Sequence, residues 1–472
     1  MMFGQENFVR KLYKRRWLIL IALTLSECLY AVAYACFGQV NDFYVAFFKV
    51  TYAQVDWATL THNVSPFVVL LPVLWMIHHG KFGFRNVVIF ATVCLSLSFL
   101  CSAVSLVSDK LFALVIAGQM FDGITATLLI ATPPTFAVTW FPEEEIGSAI
   151  AINIVGLYLG ISLGTTLPAL AIKKQTNLTS DTANVNQTLH VRQFLTILNS
   201  VCLTLSLSVV LMFVFLVTDI PPTPPTTAQQ VKSVQKEKKK KLGFCQALKQ
   251  LLFDKTYLLA CIVFGITTQL VTLEYIMMSE MMRELVEKDL LSINADRFGG
   301  YLLAVYSVGA VVGILATGKI MDFCKHYSIL SNIGSVLFFI STLAFILAFW
   351  YANLPGLFVS NFINGFGSKG LMVVLYEIAT QHTYPMDETF VSTLLTICRG
   401  PVGVFTGEIG RVLFNSFGSL SVLVFQSTAA FLTTVMTAFL SPKCLRLAVS
   451  TNVVDYVPEN NSESESLLQS EH

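Results

Sequence analysis

The chain has 472 residues, 54% of them hydrophobic and only 12% charged, with a formal net charge of +1. A soluble protein of this length would carry about twice that charged fraction, so a water-soluble fold is excluded. The near-neutral balance says little by itself, because the charges are segregated into loops, and no nucleic-acid partner is expected. The ten cysteines are scattered, mostly inside apolar segments, with no CxxC pair or metal-ligand spacing. They read as small core hydrophobes, and neither a metal nor a cofactor is expected.

Residues 1–16 form a basic N-terminus with Arg10, Lys11, Lys14, Arg15 and Arg16 beside the first apolar stretch. Twelve such stretches follow, near 17–44, 55–77, 86–106, 111–139, 147–172, 194–218, 256–282, 298–318, 329–350, 356–380, 390–412 and 419–441. About 20 apolar residues make a spanning helix, and in hydrocarbon every backbone group must bond within its own segment. The fold class is therefore all-α and membrane-embedded. Ala33-Tyr34-Ala35 resembles a signal-peptidase site, but the apolar region is too long and holds Glu27. The basic flank places the N-terminus in the cytosol. Asn177 and Asn186 head sequons between spans five and six, a loop that parity then puts outside and open to glycosylation.

A Pro/Lys-rich linker, 220–255, divides the spans six and six and carries Lys238-Lys239-Lys240-Lys241. It reads as a cytosolic anchor to anionic lipid, at about 1 kcal/mol per lysine. The bundles on either side run over 17–219 and 256–442. The halves resemble each other. Gly118-Gln119-Met120-Phe121-Asp122-Gly123 in span four matches Ser360-Asn361-Phe362-Ile363-Asn364-Gly365 in span ten. The turns that follow, TWFPEEE at 139–145 and TYPMDE at 383–388, also match. Two pseudo-symmetric six-helix bundles are the pattern of a carrier that rocks about a central site. The tail, 443–472, is polar and acidic and is expected to be disordered. Within it Glu463, Leu467 and Leu468 form an acidic dileucine pattern of the kind read by sorting receptors.

Lys81-Phe82-Gly83-Phe84-Arg85 after span two and Gly318-Lys319-Ile320-Met321-Asp322 after span eight resemble the loop signature of the major facilitator superfamily. The first copy lacks the usual acid and has His78 and His79 nearby instead. A narrower set covers nearly the whole membrane region: Val55-Asp56-Trp57, the run Leu70 to Trp75, Gly118-Gln119, Trp140-Phe141 with Glu145, and Tyr376-Glu377 with Thr383-Tyr384-Pro385. It resembles the feline leukaemia virus subgroup C receptor-related transporters, associated with haem, choline and ethanolamine, with a lysosomal branch linked to pyridoxine. The resemblance implies the major facilitator fold and a transporter. In the choline-transporting members a Trp of span one and a Tyr of span seven hold the quaternary ammonium. Those positions here are Tyr34 and Thr272, with Tyr275 one turn further on, and the family's two cavity glutamines fall at Thr127 and Gly400.

Ionisable residues within spans are functional candidates because they are costly in lipid. In span one Glu27, Tyr30, Tyr34, Phe37 and Asn41 share one helical stripe. It faces either the central cavity or a packing seam. Gln119 and Asp122 share a face of span four, for substrate, for a proton or for a helix–helix bond. In span seven Thr272 and Tyr275 form one stripe, and Glu274 on another is a proton site, a cation site or half of an ion pair. In span eleven Arg399 precedes Gly400 and Pro401, where a bend is plausible; it either neutralises one of the acids or meets an anionic group. These nine, from Glu27 to Arg399, are the candidate substrate contacts. Lys81, Arg85, Glu145, Asp322, Glu377 and Glu388, in or beside the loop motifs, are the candidate gating residues.

The expected function is secondary transport of a small organic solute by alternating access, a choline- or ethanolamine-like amine or haem. Two alternatives stand: a proton-coupled endolysosomal carrier of a pyridoxine-type vitamin, and a transport-inactive receptor or scaffold. No HExxH or GxSxG motif supports an enzyme. The expected partners are the solute and membrane lipid, with the chain a monomer in the plasma or endolysosomal membrane and both termini cytosolic.

Overall fold

The computed structural model describes residues 12–51, 83–171, 181–223, 226, 229, 243–287, 295–440 and 444–448, together with 54–55, 57–58, 61–62, 64, 69, 72–76 and 79. Fifteen helices lie among them. In the first half these are α1 (Arg15–Gln39), α2 (Asn41–Phe48), α3 (Phe84–Ser105), α4 (Phe112–Ile130), α5 (Thr132–Trp140), α6 (Ile146–Ala171) and α7 (Asp181–Leu216). In the second half they are α8 (Phe244–Phe253), α9 (Lys255–Glu287), α10 (Ala295–Phe323), α11 (Tyr327–Trp350), α12 (Leu354–His382), α13 (Glu388–Ile397), α14 (Arg399–Phe417) and α15 (Ser419–Ala438).

Nine helical stretches among the described residues are long and apolar enough to cross a membrane, and a tenth is the pair α8–α9, bent by 77°. The described residues of the expected second span are helical. Helix α12 matches the expected tenth span yet fails the test of apolarity. It holds Asn361, Asn364, Lys369 and Glu377, all buried. Protein rather than lipid surrounds those groups, so the segment can be polar.

Small residues set the helix spacing. In α6, Gly156 and Gly160 lie against the Thr24 and Cys28 carbonyls of α1, where a Cβ would collide with backbone, and Gly164 continues the row beside Val32 and Ala35. The other half repeats the device between the corresponding helices. There Gly265 of α9 faces Val402 of α14, and Gly403 and Gly410 of α14 face Gln269 and Leu273 of α9. Small residues at intervals of about four let membrane helices approach closely where no hydrophobic force drives them together.

Span four is α4 and α5, joined at Ala131. Pro133 and Pro134 have no N–H, so the Leu129 and Ile130 carbonyls lose their intrahelical donors. Thr132 Oγ1 donates to Leu129 at 2.7 Å. The Tyr376 hydroxyl of α12, from the other half, donates to Ile130 at 2.5 Å. Ser392 of α13 donates to the Ala131 carbonyl at 2.8 Å and lies 3.3 Å from Thr135 Oγ1. Span eleven breaks in the same way, into α13 and α14 at Cys398, three residues before Pro401. The interruption falls just before the Arg399-Gly400-Pro401 run.

The chain enters span one, leaves span six, enters span seven and leaves span twelve at one end, the linker end. There α6 of the first half packs on α10 of the second. Asp322 accepts from the Gly147 N–H at 2.8 Å, the Ser148 N–H at 3.1 Å and the Ser148 hydroxyl. Lys325 donates to the Glu143 carbonyl at 2.9 Å. Together with Tyr376 and Ser392 these bonds hold the two halves closed on the linker side.

Candidate functional site

The polar stripe of α1 meets the broken spans at the centre of the molecule. Glu27 and Tyr30 are buried and Tyr34 is half-buried. The charges acting on the Tyr30 hydroxyl are Arg399 from α14, Asp122 from α4 and Glu27 from its own helix. Arg399 is also the base that acts on Glu27. One Glu27 carboxylate oxygen is buried without a hydrogen-bond partner among the described residues. Arg399 is half-buried, on the first residue after the helix break. Five of the nine expected substrate contacts, Glu27, Tyr30, Tyr34, Asp122 and Arg399, therefore come together, four from one half and the arginine from the other.

The remaining four divide. Gln119 is buried on α4, three residues from Asp122. Thr272, Glu274 and Tyr275 lie on α9, but their side chains are outside the described residues. Below the cluster Tyr376 packs edge-on against Phe264 at 5.0 Å. Lys369 of α12 is buried, with its ammonium 5.6 Å from the centre of the Tyr158 ring of α6.

His62 of span two was not among the expected contacts. Its Nδ1 stands 3.3 Å from Asp122 Oδ2, with side-chain exposures of 4% and 0%. Neither Asp122 oxygen has another partner among the described residues. The contact is electrostatic. The Tyr34 ring lies on the imidazole, centroids 4.9 Å apart and tilted by 34°. An ionisable side chain within an apolar span was the signal that could have found it.

The expected gating residues separate by what they bridge. Asp322 joins the halves. Arg85 does not: its N–H donates to Asp219 and its guanidinium to the Val214 carbonyl, both at 2.8 Å, tying α3 to the end of α7. Glu145 pairs with Arg16 at 2.9 Å within the first half. Glu388 accepts from Gln229 of the linker at 3.4 Å. Glu377 pairs with Arg446, in the stretch expected to be tail. Residues 445–448 are instead a helical turn, with Arg446 3% exposed. Lys81, Asn177, the lysine run 238–241 and Glu463, Leu467 and Leu468 lie outside the described residues, and Asn186 falls on α7 with its side chain outside them.

The other half has its own staple at the linker end. His382 Nε2 lies 3.0 Å from both carboxylate oxygens of Asp254. Burial alone would raise the Asp254 carboxyl, but the Tyr257 N–H and the His382 ring outweigh it and hold the group below its ordinary value. Arg16–Glu145 ties the start of the first span to the turn that leads into α6, and Asp254–His382 ties the start of the seventh span to the end of α12.

The sequence profile of the Major Facilitator Superfamily matches residues 23–283. The zebrafish (Danio rerio) protein named choline/ethanolamine transporter flvcr2a is 24% identical over 434 residues, covering 91% of this chain and 87% of that protein. Human (Homo sapiens) choline/ethanolamine transporter FLVCR2 is 23% identical over 444 residues, covering 92% and 80%. Among solved structures, the superfamily transporter FucP in the outward conformation superposes with a TM-score of 0.69 at 12% identity, over 91% of this chain and 100% of that one.

Proposed function

The chain belongs to the major facilitator superfamily and is a multi-pass secondary transporter of a small organic solute, and from that premise we propose that the solute is an amine of the choline or ethanolamine type. One observation carries the reading: the Tyr30, Tyr34 and Glu27 stripe faces Arg399 across the line between the halves, with a Glu27 oxygen left unbonded. An aromatic ring attracts a cation by about 0.5–2 kcal/mol. A buried carboxyl with an oxygen that has no partner among the described residues adds an acceptor for the solute's hydroxyl or ammonium. The curated relatives, named for choline and ethanolamine, support the same class.

The halves are closed on the linker side in this conformation. The solute enters from the opposite side, and rocking about the central cluster breaks the Asp322, Tyr376 and Ser392 bonds to release it. The linker side is the cytosol on the charge argument, which leaves both termini inside. Asp322 is the gate between the halves, while Glu145 and Glu377 keep each half rigid as it turns.

The test is counterflow in proteoliposomes of the purified full chain. Vesicles preloaded with unlabelled choline or ethanolamine should take up the labelled amine, and haem or pyridoxine should compete poorly. Exchange of pyridoxine or haem in place of either amine would overturn the solute class. Exchange of no solute would point to the receptor reading.

A further inference from the structure

We propose that the central site prefers an amine that also carries an oxyanion, a phosphate ester or a carboxylate, and that Arg399 holds the oxyanion. The inference rests on the amine reading above and narrows its solute class. Arg399 is half-buried within span eleven, and among the described residues its guanidinium makes no hydrogen bond, ion pair or ring contact. The other arginines differ. Arg16, Arg411 and Arg446 are paired with Glu145, Glu280 and Glu377. Arg85 and Arg192 donate to the carbonyls of Val214 and Leu106. The Arg399 nitrogens are also not sealed off, unlike Arg16 Nη1 and Arg446 Nε, which are buried without a partner. An accessible, unbonded guanidinium is thus left within a span.

It turns inward. Glu27, Tyr30 and Tyr376, on which its charge acts, are all buried, and they come from α1 and α12 on either side. The backbone that carries it is held from two directions. Ser392 of α13 donates to the Ala131 carbonyl at the break in span four, at 2.8 Å. On the other side Gly265 of α9 lies so close that a Cβ there would stand 3.4 Å from the Cys398 carbonyl. A charged side chain within a span is costly unless it meets a partner or a polar cavity. The planar guanidinium fork matches the two oxygens of a carboxylate or phosphate.

The site therefore has two unlike ends. The first half offers the Tyr34 ring and the Glu27 oxygen that lacks a partner, and the second offers Arg399. An ammonium beside Tyr34 and Glu27 faces an unbonded positive charge, which repels it. An oxyanion on the same molecule turns that repulsion into attraction. The argument does not depend on the proton of Glu27, because the guanidinium stays charged and a carboxyl oxygen accepts in either form. Nor do the other ionisable groups nearby satisfy Arg399. Asp122 faces His62 at 3.3 Å. Lys369 is a second base, beside Tyr158.

A solute gripped by its ammonium in one half and by its oxyanion in the other bridges the halves as they rock. The competing arrangement is a direct Glu27–Arg399 pair, in which no oxyanion is needed and a plain amine is carried as well as any other.

The test is competition against labelled choline counterflow in proteoliposomes of the full chain. Phosphocholine and glycine betaine keep the trimethylammonium and add a phosphate or a carboxylate, so the two arms separate the oxyanions. At least one should inhibit at a roughly tenfold lower concentration than choline. Arg399→Gln should erase the preference, bringing the three to within about twofold. If that variant fails to fold, Arg399→Lys replaces it and should narrow the preference, since lysine lacks the planar fork. Choline inhibiting as well as both oxyanion amines overturns the proposal and leaves the amine reading standing. A preference unchanged by the substitution overturns it too. If no amine exchanges, the amine reading falls by itself. The oxyanion site is then judged on the purified protein, where inorganic phosphate or acetate, against chloride at equal ionic strength, must raise Tm more in wild type than in the variant. Equal shifts overturn it.

Discussion

Tyr376 of the second half donates its hydroxyl proton to the Ile130 carbonyl of the first, at 2.5 Å. That carbonyl is free because Pro134, four residues on, has no N–H to offer it. A sequence defect in span four is thus converted into a bond between halves, and one that exists only while they are closed on the linker side.

Tyr376→Phe leaves the Ile130 carbonyl buried and unpaired in the closed state only. An orphaned buried acceptor costs about 1–3 kcal/mol. The conformational equilibrium should move toward the linker-open state by roughly 5- to 150-fold. Labelling of single cysteines introduced on the linker side of the closure should speed up accordingly. An unchanged labelling rate would show that the bond does not bias the two states.

Asp322→Asn acts on the same equilibrium from another place. The carboxylate sits at the N-terminus of α6, accepting two backbone N–H bonds and the Ser148 hydroxyl. Charge-assisted bonds at a helix N-terminus contribute about 1.5–3 kcal/mol. The substitution should also favour the open state. Combined with Tyr376→Phe it should add, because the two sites share no partner. A double-mutant cycle that departs from additivity by more than about 0.5 kcal/mol would show that the two bonds form one unit.

Tyr34→Ala should raise the choline concentration for half-maximal uptake by roughly 2- to 30-fold, the loss of one aromatic face. Glu27→Gln keeps the shape but removes the ionisable carboxyl, and should lower transport further while surface abundance stays level. Uptake indistinguishable from wild type in both variants would sink the assignment of the α1 stripe to the solute.

The twelve spans and their division were legible because lipid demands long apolar segments, and the linker stands out in charge. The helix break in span eleven falls at the run Arg399-Gly400-Pro401 that the sequence marks, whereas the break in span four, beside Pro133-Pro134, was not read from it. Contacts between distant segments were not legible. Arg446 lies beside a polar tail that gives no sign of a helical turn, and only the folded chain shows that it reaches Glu377. His62 was overlooked because a single histidine in an apolar run gives no hint of its partner, 60 residues away on another helix. Among the expected gating acids Asp322 reaches the other half, whereas the partners of Glu145 and Glu377, Arg16 and Arg446, lie within their own halves.

The Asp254–His382 staple predicts a pH dependence with a definite sign. The Asp254 carboxyl is held below its ordinary value in the folded protein. Its contribution is complete above the unfolded pKa, about 3.9, and is lost as the pH falls through the lower folded value. Asp254→Asn should therefore lower Tm at neutral pH, and the gap from wild type should close as the pH drops below about 4. A gap that widens in acid would mean that another group dominates that corner.

Arg446 and Glu377 give the strongest single-residue effect. The two side chains are each 3% exposed and paired. Gln381 donates to the same Glu377 oxygen at 2.9 Å and accepts from the Leu447 N–H at 3.0 Å, so the turn after span twelve is bound to α12 by a connected network. Arg446→Ala strips the pair and leaves a buried carboxylate, which costs about 3–5 kcal/mol. Tm of the purified carrier should fall by several degrees, and expression with it. The double variant Arg446→Met with Glu377→Gln removes both charges while keeping much of the volume, and should recover most of the loss, since replacing a whole buried pair is often neutral. If the double variant is no more stable than Arg446→Ala, the turn is held by backbone and packing contacts, and the ion pair is incidental to its place.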